Sequence, residues 1–305
     1  MEKLRILCLH GYHGNAQVLR GQLAPLANGL DDLVEFVYVD APSLAAGDFG
    51  WWHAEAAEMT AIKSGAGVDR SVKRYKGWQK TREAIVSAFA RQGPFDGVFG
   101  FSQGAALASL LVGLRAHDGL AGNKLGGPAS RTSSPSALTT TQIGALTTGQ
   151  IGALSIDQVG ALTAEQLGAL SASQFVALTT DDVAALSTHQ IDALSESLSF
   201  DFAVMAGGFV VADADLACLY GERSNYDLPS AHIIGRSDSV VPNEASFRLA
   251  SKFNNPLILE HEGGHVISNA TQVRQGFRTF LEEMRQRKRR RRLAPRGAEA
   301  STFRS

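Results

Sequence analysis

Residues 97–106 read Gly-Val-Phe-Gly-Phe-Ser-Gln-Gly-Ala-Ala. A short apolar run ends at Phe99, and a run of helix-forming residues extends from Ala105 to Ala116. Between them, residues 100–104 match the pattern G-x-S-x-G, in which glycines flank a strand-to-helix turn that is too tight for larger side chains. The stretch therefore predicts a strand, a sharp turn and a helix, with Ser102 exposed at the turn.

The helix after Ser102 would point its first backbone N–H groups at the place where an attacked carbonyl oxygen becomes negative. This suits a serine nucleophile, with the N–H of Gln103 as one donor of an oxyanion hole. A second donor is predicted in the loop 10–14, His-Gly-Tyr-His-Gly, which follows the first apolar strand. We assign it to the N–H of Tyr12, because Gly11 permits a close approach. The alternative is an ordinary strand-to-helix loop.

The length of 305 residues suffices for one large domain, or for one domain with an insertion. No stretch approaches the ~18 apolar residues of a membrane span. The apolar run near Met1 is short and lacks a cleavage site, so we expect no signal peptide. The two cysteines, Cys8 and Cys218, offer neither a disulfide framework nor metal-binding spacing. We therefore expect a cytoplasmic protein.

Apolar runs and helix signals alternate along the chain and predict an α/β fold with a mostly parallel sheet. Strands are expected at 4–9, 34–39, 97–99, 202–206, 231–235 and 256–260, and helices at 16–30, 77–92, 105–116, 245–253 and 269–287. The pattern stops after 116 and resumes near 200. We expect one hydrolase-like domain in two parts, 1–116 and 199–284, with a linker and repeat insertion at 117–198 and a tail at 285–305.

The segment 43–76 is rich in glycine and aromatic residues, including the adjacent Trp51 and Trp52. It is too aromatic for a plain linker. Adjacent tryptophans near a strand end are candidate substrate-binding residues that would roof an apolar acyl pocket. The alternative is that these aromatic side chains fill a satellite core.

Leucines recur every eight residues from Leu138 to Leu194. Eight residues along one α-helix rotate the side chain by ~80°, so one continuous helix would not align these leucines in a stripe. Most octads contain a capping box, such as Ser155 with Gln158. The pattern therefore predicts a small solenoid of single-turn helices. It is either a spacer without a catalytic role or a surface for a protein partner.

A serine hydroxyl needs a histidine to take its proton and a carboxylate to orient that histidine. Asp238 follows the end of one predicted strand, and His265 follows the end of the next. The order Ser102, Asp238, His265 is the one that α/β-hydrolases use. Other carboxylates, those of Asp213, Asp215 and Asp227, occupy less favourable loop positions, and His261 lies directly at a strand end, where a structural role is expected.

Residues 261–265, His-Glu-Gly-Gly-His, also match the zinc-protease pattern H-E-x-x-H. That chemistry needs both histidines on one face of a helix. Paired glycines cost a helix about 2 kcal/mol relative to alanines, and a further zinc ligand is not evident. We therefore predict no metal site.

Several motifs together resemble one family of small eukaryotic serine hydrolases. The motifs are Leu9-His10-Gly11-Tyr12, Tyr38-Val39-Asp40-Ala41-Pro42, Trp51-Trp52, Gly93-Pro94-Phe95-Asp96-Gly97, Gly100-Phe101-Ser102-Gln103-Gly104-Ala105, Ile234-Gly235 through Asp238, and Gly263-Gly264-His265. The chain resembles the family that includes the ovarian-tumour-associated hydrolase of animals and the polyketide-releasing thioesterases of fungi. The resemblance covers residues 4–116 and 200–283, and the octads depart from the family pattern.

The resemblance implies an α/β-hydrolase fold and hydrolysis of a small-molecule carboxylic ester or thioester. It also implies no metal and no organic cofactor, with Ser102, Asp238 and His265 as the matching triad. The pentapeptide at 100–104 also occurs in acyl-protein thioesterases, so an acyl-protein or lipid thioesterase remains an alternative. A non-catalytic adaptor that recruits a partner through its octads is a second alternative.

The C-terminal region is strongly basic. Residues 285–305 contain nine of the chain's 29 Lys/Arg residues and one of its 30 Asp/Glu residues. Seven cations in the eight residues from Arg285 to Arg292 repel one another, so we expect a frayed helix end and a disordered tail. The tail is also a candidate contact for a polyanion or for the nuclear-import machinery, which would add a nuclear location.

Overall fold

The computed structural model describes most of the chain outside the octads and the C-terminal end. The described ranges are 2–45, 48–56, 73–121, 198–220 and 225–293, together with 142–143, 145–163, 166–167, 170, 174 and 178 within the octads. None of the helices in these ranges is long and apolar enough to cross a bilayer.

Six parallel strands form the central sheet. The described strands are β1 (Leu4–Leu9), β2 (Val34–Val39), β3 (Ser43–Ala45), β4 (Asp48–Phe49), β5 (His53–Ala56), β6 (Lys73–Lys76), β7 (Gly97–Phe101), β8 (Phe202–Ala206), β9 (Ser230–Gly235) and β10 (Leu257–His261). The sheet has the order β10-β9-β8-β7-β1-β2, and each neighbouring pair is parallel. The remaining strands form two antiparallel hairpins, β3-β4 and β5-β6.

Helices cover both faces of this sheet. The described helices are α1 (Ala16–Ala27), α2 (Trp78–Gln92), α3 (Gln103–Ala121), α4 (Thr148–Ile151), α5 (Ile156–Gly160), α6 (Ala214–Ala217), α7 (Asn243–Ala250) and α8 (Thr271–Leu293), with a 3₁₀ turn at Cys218–Tyr220. Apolar side chains of α1 and α8 pack on one face, and those of α2, α3 and α7 pack on the other. Burial on both faces explains the near-continuous apolar runs of the strands. The predicted α/β fold, with a mostly parallel sheet flanked by helices, is confirmed.

Along the chain, the octads lie between two strands that are direct neighbours in the sheet. β8 pairs directly with β7, in a register that sets Gly97 opposite Phe202. In the sequence, α3 and the octad array lie between these two strands. The chain therefore leaves the sheet after β7 and returns beside it in β8.

Part of the octad array forms short capped helices around its own apolar core. At the start of α5, Gln158 N donates to Ser155 Oγ (3.3 Å) and Ser155 N donates to Gln158 Oε1 (2.9 Å), which closes the predicted capping box. Among the described residues of the first four octads, one apolar residue of each octad is fully buried, namely Ile143, Ile151, Val159 and Leu167. Of the octad leucines that the structure describes, Leu178 is buried and the others, Leu146, Leu154, Leu162 and Leu170, are partly buried around this core.

One contact joins the array to the rest of the protein, and a second joins its later part to its first octads. The sequence predicts neither contact. Val86 of α2 joins the apolar core of the octads, so the array packs on the α/β domain. The side chain of Gln174 donates to the carbonyl oxygens of Ile143 (3.1 Å) and Leu146 (2.6 Å). The chain therefore curls back on its first octads about four units later. The octads at 179–197 lie outside the described residues.

The prediction that the final helix frays from residue 285 is wrong for residues 285–293. α8 continues to Leu293. The Nζ atom of Lys288 lies 2.9 Å from Asp96 Oδ2 and 2.9 Å from Glu2 Oε1, and Arg291 pairs with Asp201. The cations meet acidic residues of the domain, and this attraction offsets their mutual repulsion. Residues 294–305 of the predicted tail lie outside the described residues.

Replacing Lys288 by methionine should reduce the free energy of unfolding by about 1 kcal/mol, because the change leaves Asp96 without a cation at a site that is mostly buried. Urea denaturation would measure this. The matched control is Arg290→Met, which removes the same charge from an exposed position of α8 and should change stability by less than about 0.5 kcal/mol. Equal losses in both variants would show that α8 is not held by this ion pair.

A second prediction concerns acid stability. His232 is 2% exposed and its Nε2 lies 3.2 Å from Ser230 Oγ. Burial lowers the pKa of His232 to about 3. An unfolded histidine has a pKa of about 6.5, so between these two values only the unfolded chain takes up this proton. The histidine therefore lowers the free energy of unfolding as the pH falls from about 6.5 toward about 3, by up to about 1.4 kcal/mol per pH unit.

In His232→Gln, the free energy of unfolding should consequently fall less steeply with acidification than in the unaltered protein. Urea denaturation at several pH values between 7 and 4 would give both slopes. His13→Asn is the control, because it removes an exposed histidine and should leave the slope unchanged. An unchanged slope in His232→Gln would contradict the prediction.

Candidate active site

The turn between β7 and α3 has the sharp geometry that the sequence predicts. Ser102 has a φ of 55°, a conformation that is uncommon for a residue with a side chain. A Cβ atom added to Gly100 would lie 2.1 Å from the carbonyl oxygen of Gly104, and one added to Gly104 would lie 2.1 Å from that of Leu9. Only glycine fits at both positions. The turn therefore holds Ser102 at the carboxyl end of β7.

Asp238 and His265 form a hydrogen-bonded pair beside this turn. The Nδ1 of His265 lies 2.7 Å from Oδ2 of Asp238. Since a carboxylate only accepts, Nδ1 carries the proton and Nε2 is the basic nitrogen. The other carboxylate oxygen accepts N–H groups of Val240 (2.9 Å) and Val241 (2.8 Å), so the aspartate itself is fixed.

The histidine ring lies against the ends of the central strands. Its centroid is 4.9 Å from that of Phe101, the residue before Ser102. A Cβ atom added to Gly207, which follows β8, would lie 2.9 Å from Cε1 of His265. Asp238 and His265 follow β9 and β10, so the parallel sheet brings the three predicted triad residues to one edge. A small residue at 207 leaves room for the ring.

The other carboxylates considered from the sequence have different partners. Asp213 accepts the N–H groups of Tyr75 (2.7 Å) and Leu216 (3.2 Å), so it joins β6 to the start of α6. Asp227 accepts a hydrogen bond from the side chain of Asn254. The side chain of Asp215 lies outside the described residues. Among the aspartates that the structure describes here, Asp238 is the one bonded to His265.

The loop after β1 passes next to Ser102. A Cβ atom added to Gly11 would lie 3.3 Å from Cβ of Ser102. The loop closes in a turn, in which Gly14 N donates to Gly11 O (3.0 Å) and His13 has a φ of 55°. The backbone of this loop thus lies beside Ser102.

Tyr12 projects from this loop with 42% of its surface exposed. Its hydroxyl group is hydrogen-bonded to Nδ1 of His53, at 2.9 Å, and the two rings meet edge to face. His53 lies on β5, so this contact joins the loop to the β5-β6 hairpin. The sequence does not predict it, because the two residues share no motif.

His10 holds the same loop from inside the protein. Its Nδ1 donates to Gly11 O (2.7 Å), and its Nε2 accepts the N–H of Ala41 (2.9 Å). Burial lowers the pKa of His10, which favours the neutral ring that this pattern needs, since one nitrogen donates and the other accepts. His10 is thus a structural histidine that fixes the loop.

The prediction that Trp51 and Trp52 roof a substrate pocket is wrong for their side chains, which are 0% and 2% exposed. The indole N–H of Trp51 donates to the carbonyl oxygen of His10 (2.7 Å). Trp52 stacks on Tyr75, with ring centroids 4.9 Å apart. Both side chains belong to the core between α2, α3 and the sheet. These two side chains therefore fill a core, as the alternative predicts, but it is the main core on this face of the sheet and not a satellite.

The H-E-x-x-H pattern at 261–265 does not form the helix that a zinc protease needs. β10 ends at His261, and the following residues form bends. Nδ1 of His261 accepts the N–H of Gly263 (3.2 Å), whereas Nδ1 of His265 donates to Asp238. Within the described ranges, no group of three His, Cys, Asp or Glu side chains is placed to hold a metal ion. The two histidines have separate roles.

Comparison with solved structures finds matches at low identity. The crystal structure of Zea mays acyl-protein thioesterase 2 is 17% identical, with a TM-score of 0.45, over 92% of this chain and 95% of that chain. That of Arabidopsis thaliana SOBER1 is 13% identical, with a TM-score of 0.44, over 93% of this chain and 99% of that chain.

Comparison with curated proteins finds relatives named as esterases. Esterase CG5412 of Drosophila melanogaster is 25% identical over 292 residues, covering 92% of this chain and 75% of the relative. Esterase OVCA2 of Homo sapiens is 25% identical over 301 residues, covering 92% of this chain and 96% of the relative. That of Danio rerio is 24% identical over 300 residues, with 92% and 96% covered.

Two family models match the chain. The model described as ALTTAQ repeat matches residues 136–164, within the octads. The model described as Serine hydrolase (FSH1) matches residues 1–129 and 173–277, and this second match includes β1, β7, β8, β9, β10 and the three predicted triad residues. The match spans most of the chain, and the protein is therefore a hydrolase that belongs to the FSH1 serine hydrolase family.

Proposed function

We propose that this hydrolase cleaves small-molecule carboxylic esters or thioesters through an acyl intermediate on Ser102, with Asp238 and His265 as the other members of the triad. The observation that carries the proposal is the 2.7 Å hydrogen bond from His265 Nδ1 to Asp238. It leaves Nε2 as the base, on a ring that packs against the residue preceding the serine. The esterase names of the relatives support the same reaction class.

In the proposed reaction, Nε2 of His265 takes the hydroxyl proton as Ser102 Oγ attacks the carbonyl carbon. The buried carboxylate of Asp238 stabilises the imidazolium that forms. When the tetrahedral intermediate collapses, His265 donates the proton to the leaving alcohol or thiol, and the acyl group stays on Ser102. Water, activated by the same nitrogen, then releases the acid.

The negative oxygen of the intermediate would be held by the N–H groups of Gln103 and Tyr12. Gln103 is the first residue of α3, so its N–H is among the first four of the helix, which have no intrahelical partner. The positive end of the helix dipole adds to this stabilisation. Tyr12 belongs to the loop whose backbone passes next to Ser102.

Ser102→Ala should abolish hydrolysis of p-nitrophenyl esters and labelling by a fluorophosphonate probe, since the attacking oxygen is lost. Ester and thioester substrates of graded chain length, assayed with the unaltered protein, would define the acyl group and would reveal a long-chain thioesterase. Ser109→Ala is the control, because it removes the hydroxyl of a different serine, on α3. Equal labelling of Ser102→Ala and the unaltered protein would exclude Ser102 as the nucleophile.

Asp238→Asn should lower kcat by roughly 10³–10⁴-fold, because an amide cannot stabilise the imidazolium and favours the wrong tautomer of His265. Steady-state kinetics with a short p-nitrophenyl ester would measure the loss. The matched control is Asp213→Asn, which alters a buried aspartate that accepts the backbone N–H groups of Tyr75 and Leu216 and should change kcat by no more than about threefold. If kcat of Asp238→Asn fell by less than tenfold, Asp238 would not be the residue that orients His265.

A further inference from the structure

The side chain of Gln103 makes two hydrogen bonds inside the protein. It is 7% exposed. Its Oε1 accepts the backbone N–H of Trp51 (2.9 Å), and its Nε2 donates to the backbone carbonyl of Trp52 (2.8 Å). One amide thus satisfies a donor and an acceptor on consecutive residues, in a segment that packs in the core. The same residue contributes the backbone N–H that we assign to the oxyanion hole.

The segment held by Gln103 is in turn bonded to the other oxyanion loop. The indole N–H of Trp51 donates to the carbonyl oxygen of His10 (2.7 Å), and the two rings lie 5.0 Å apart. Thr81 of α2 donates its hydroxyl proton to the carbonyl oxygen of Trp51, which fixes the segment from a third side. A continuous buried path therefore runs from the side chain of Gln103, through Trp51, to His10.

We infer that Gln103 is a positioning residue whose side chain sets the distance between the two oxyanion donors, its own N–H and that of Tyr12. The inference rests on the proposed function and extends it. The two donors follow different strands, β7 and β1, so an independent shift of either loop would separate them. Donors stabilise a developing oxyanion only when both lie within hydrogen-bond distance of it. The buried path through Trp51 opposes such a shift.

Breaking this path costs free energy because the backbone groups that it joins are buried. An apolar side chain at 103 would leave the N–H of Trp51 and the carbonyl oxygen of Trp52 without their partner in a buried place. The loop would have to move for these groups to find new partners. Movement of Trp51 would then be transmitted to His10 and, one and two residues further, to Gly11 and Tyr12.

Gln103→Met keeps the length of the side chain and the backbone N–H but removes both hydrogen bonds. We expect kcat for p-nitrophenyl butyrate to fall about 10- to 100-fold and KM to change by less than about threefold, because the lost interaction acts in the transition state. Trp51→Phe removes the indole N–H and so breaks the same path. It should also lower kcat. The double variant should lose less than the product of the two single losses, since both changes break one path.

A second readout does not depend on turnover. Hydrogen exchange, followed by mass spectrometry, should accelerate in Gln103→Met in the peptides that cover residues 9–14 and 50–53. The matched control is Ser109→Ala, which removes buried hydrogen bonds to Tyr220 and to the carbonyl of Ala106 on the same helix. It should leave both peptides and kcat unchanged. If Gln103→Met does not fold, Trp51→Phe provides both readouts.

The outcomes separate this inference from the proposed function. Faster exchange at 9–14 together with a loss in kcat supports the positioning role. Unchanged exchange at 9–14 overturns the coupling of the two loops, and faster exchange with an unchanged kcat overturns its part in catalysis. If the unaltered protein neither turns over esters nor reacts with a fluorophosphonate, the proposed function fails and so does the catalytic role of Gln103, whereas the exchange result still decides the coupling.

Discussion

The absence of two Cβ atoms, at Gly100 and Gly104, is the constraint on which the rest of the site depends. If either residue had a Cβ atom, the helix α3 could not start so close to β1, and Ser102 would not stand at the end of β7. The same close contact brings the loop after β1 next to the serine. The sheet then supplies Asp238 and His265 at the ends of β9 and β10, so the site is a product of strand order and one tight turn.

The sequence predicts those parts of the molecule that local patterns encode. The strands, the turn and the pairing of Asp238 with His265 follow from apolar runs and from the order of polar residues at strand ends. It cannot predict the path from Gln103 to Trp51 and His10, because these residues are 52 and 41 positions apart and share no periodicity. From the sequence alone, adjacent tryptophans near a strand end therefore indicate a substrate pocket. In the structure, the side chains of these two tryptophans fill the core.

Predictions from local charge are limited in the same way, as the basic end of α8 shows. Local repulsion among the cations predicts fraying, but Lys288 reaches Asp96, which lies 192 positions away in the sequence. The acidic body and the basic end, which differ so strongly in composition, are thus partly complementary parts of one domain. Cations that pair within the domain are less available to a polyanion, so composition alone is a weak indicator of a binding tail.

In the proposed mechanism, catalysis passes through an acyl group on Ser102. Rapid mixing with p-nitrophenyl butyrate, acid quenching and mass spectrometry of the intact protein and its peptides would test this most directly. One butyryl group per chain is expected during turnover, on the peptide that contains Ser102, and it should disappear when the substrate is exhausted. Turnover without an acylated protein, or with the butyryl group on another residue, would contradict it.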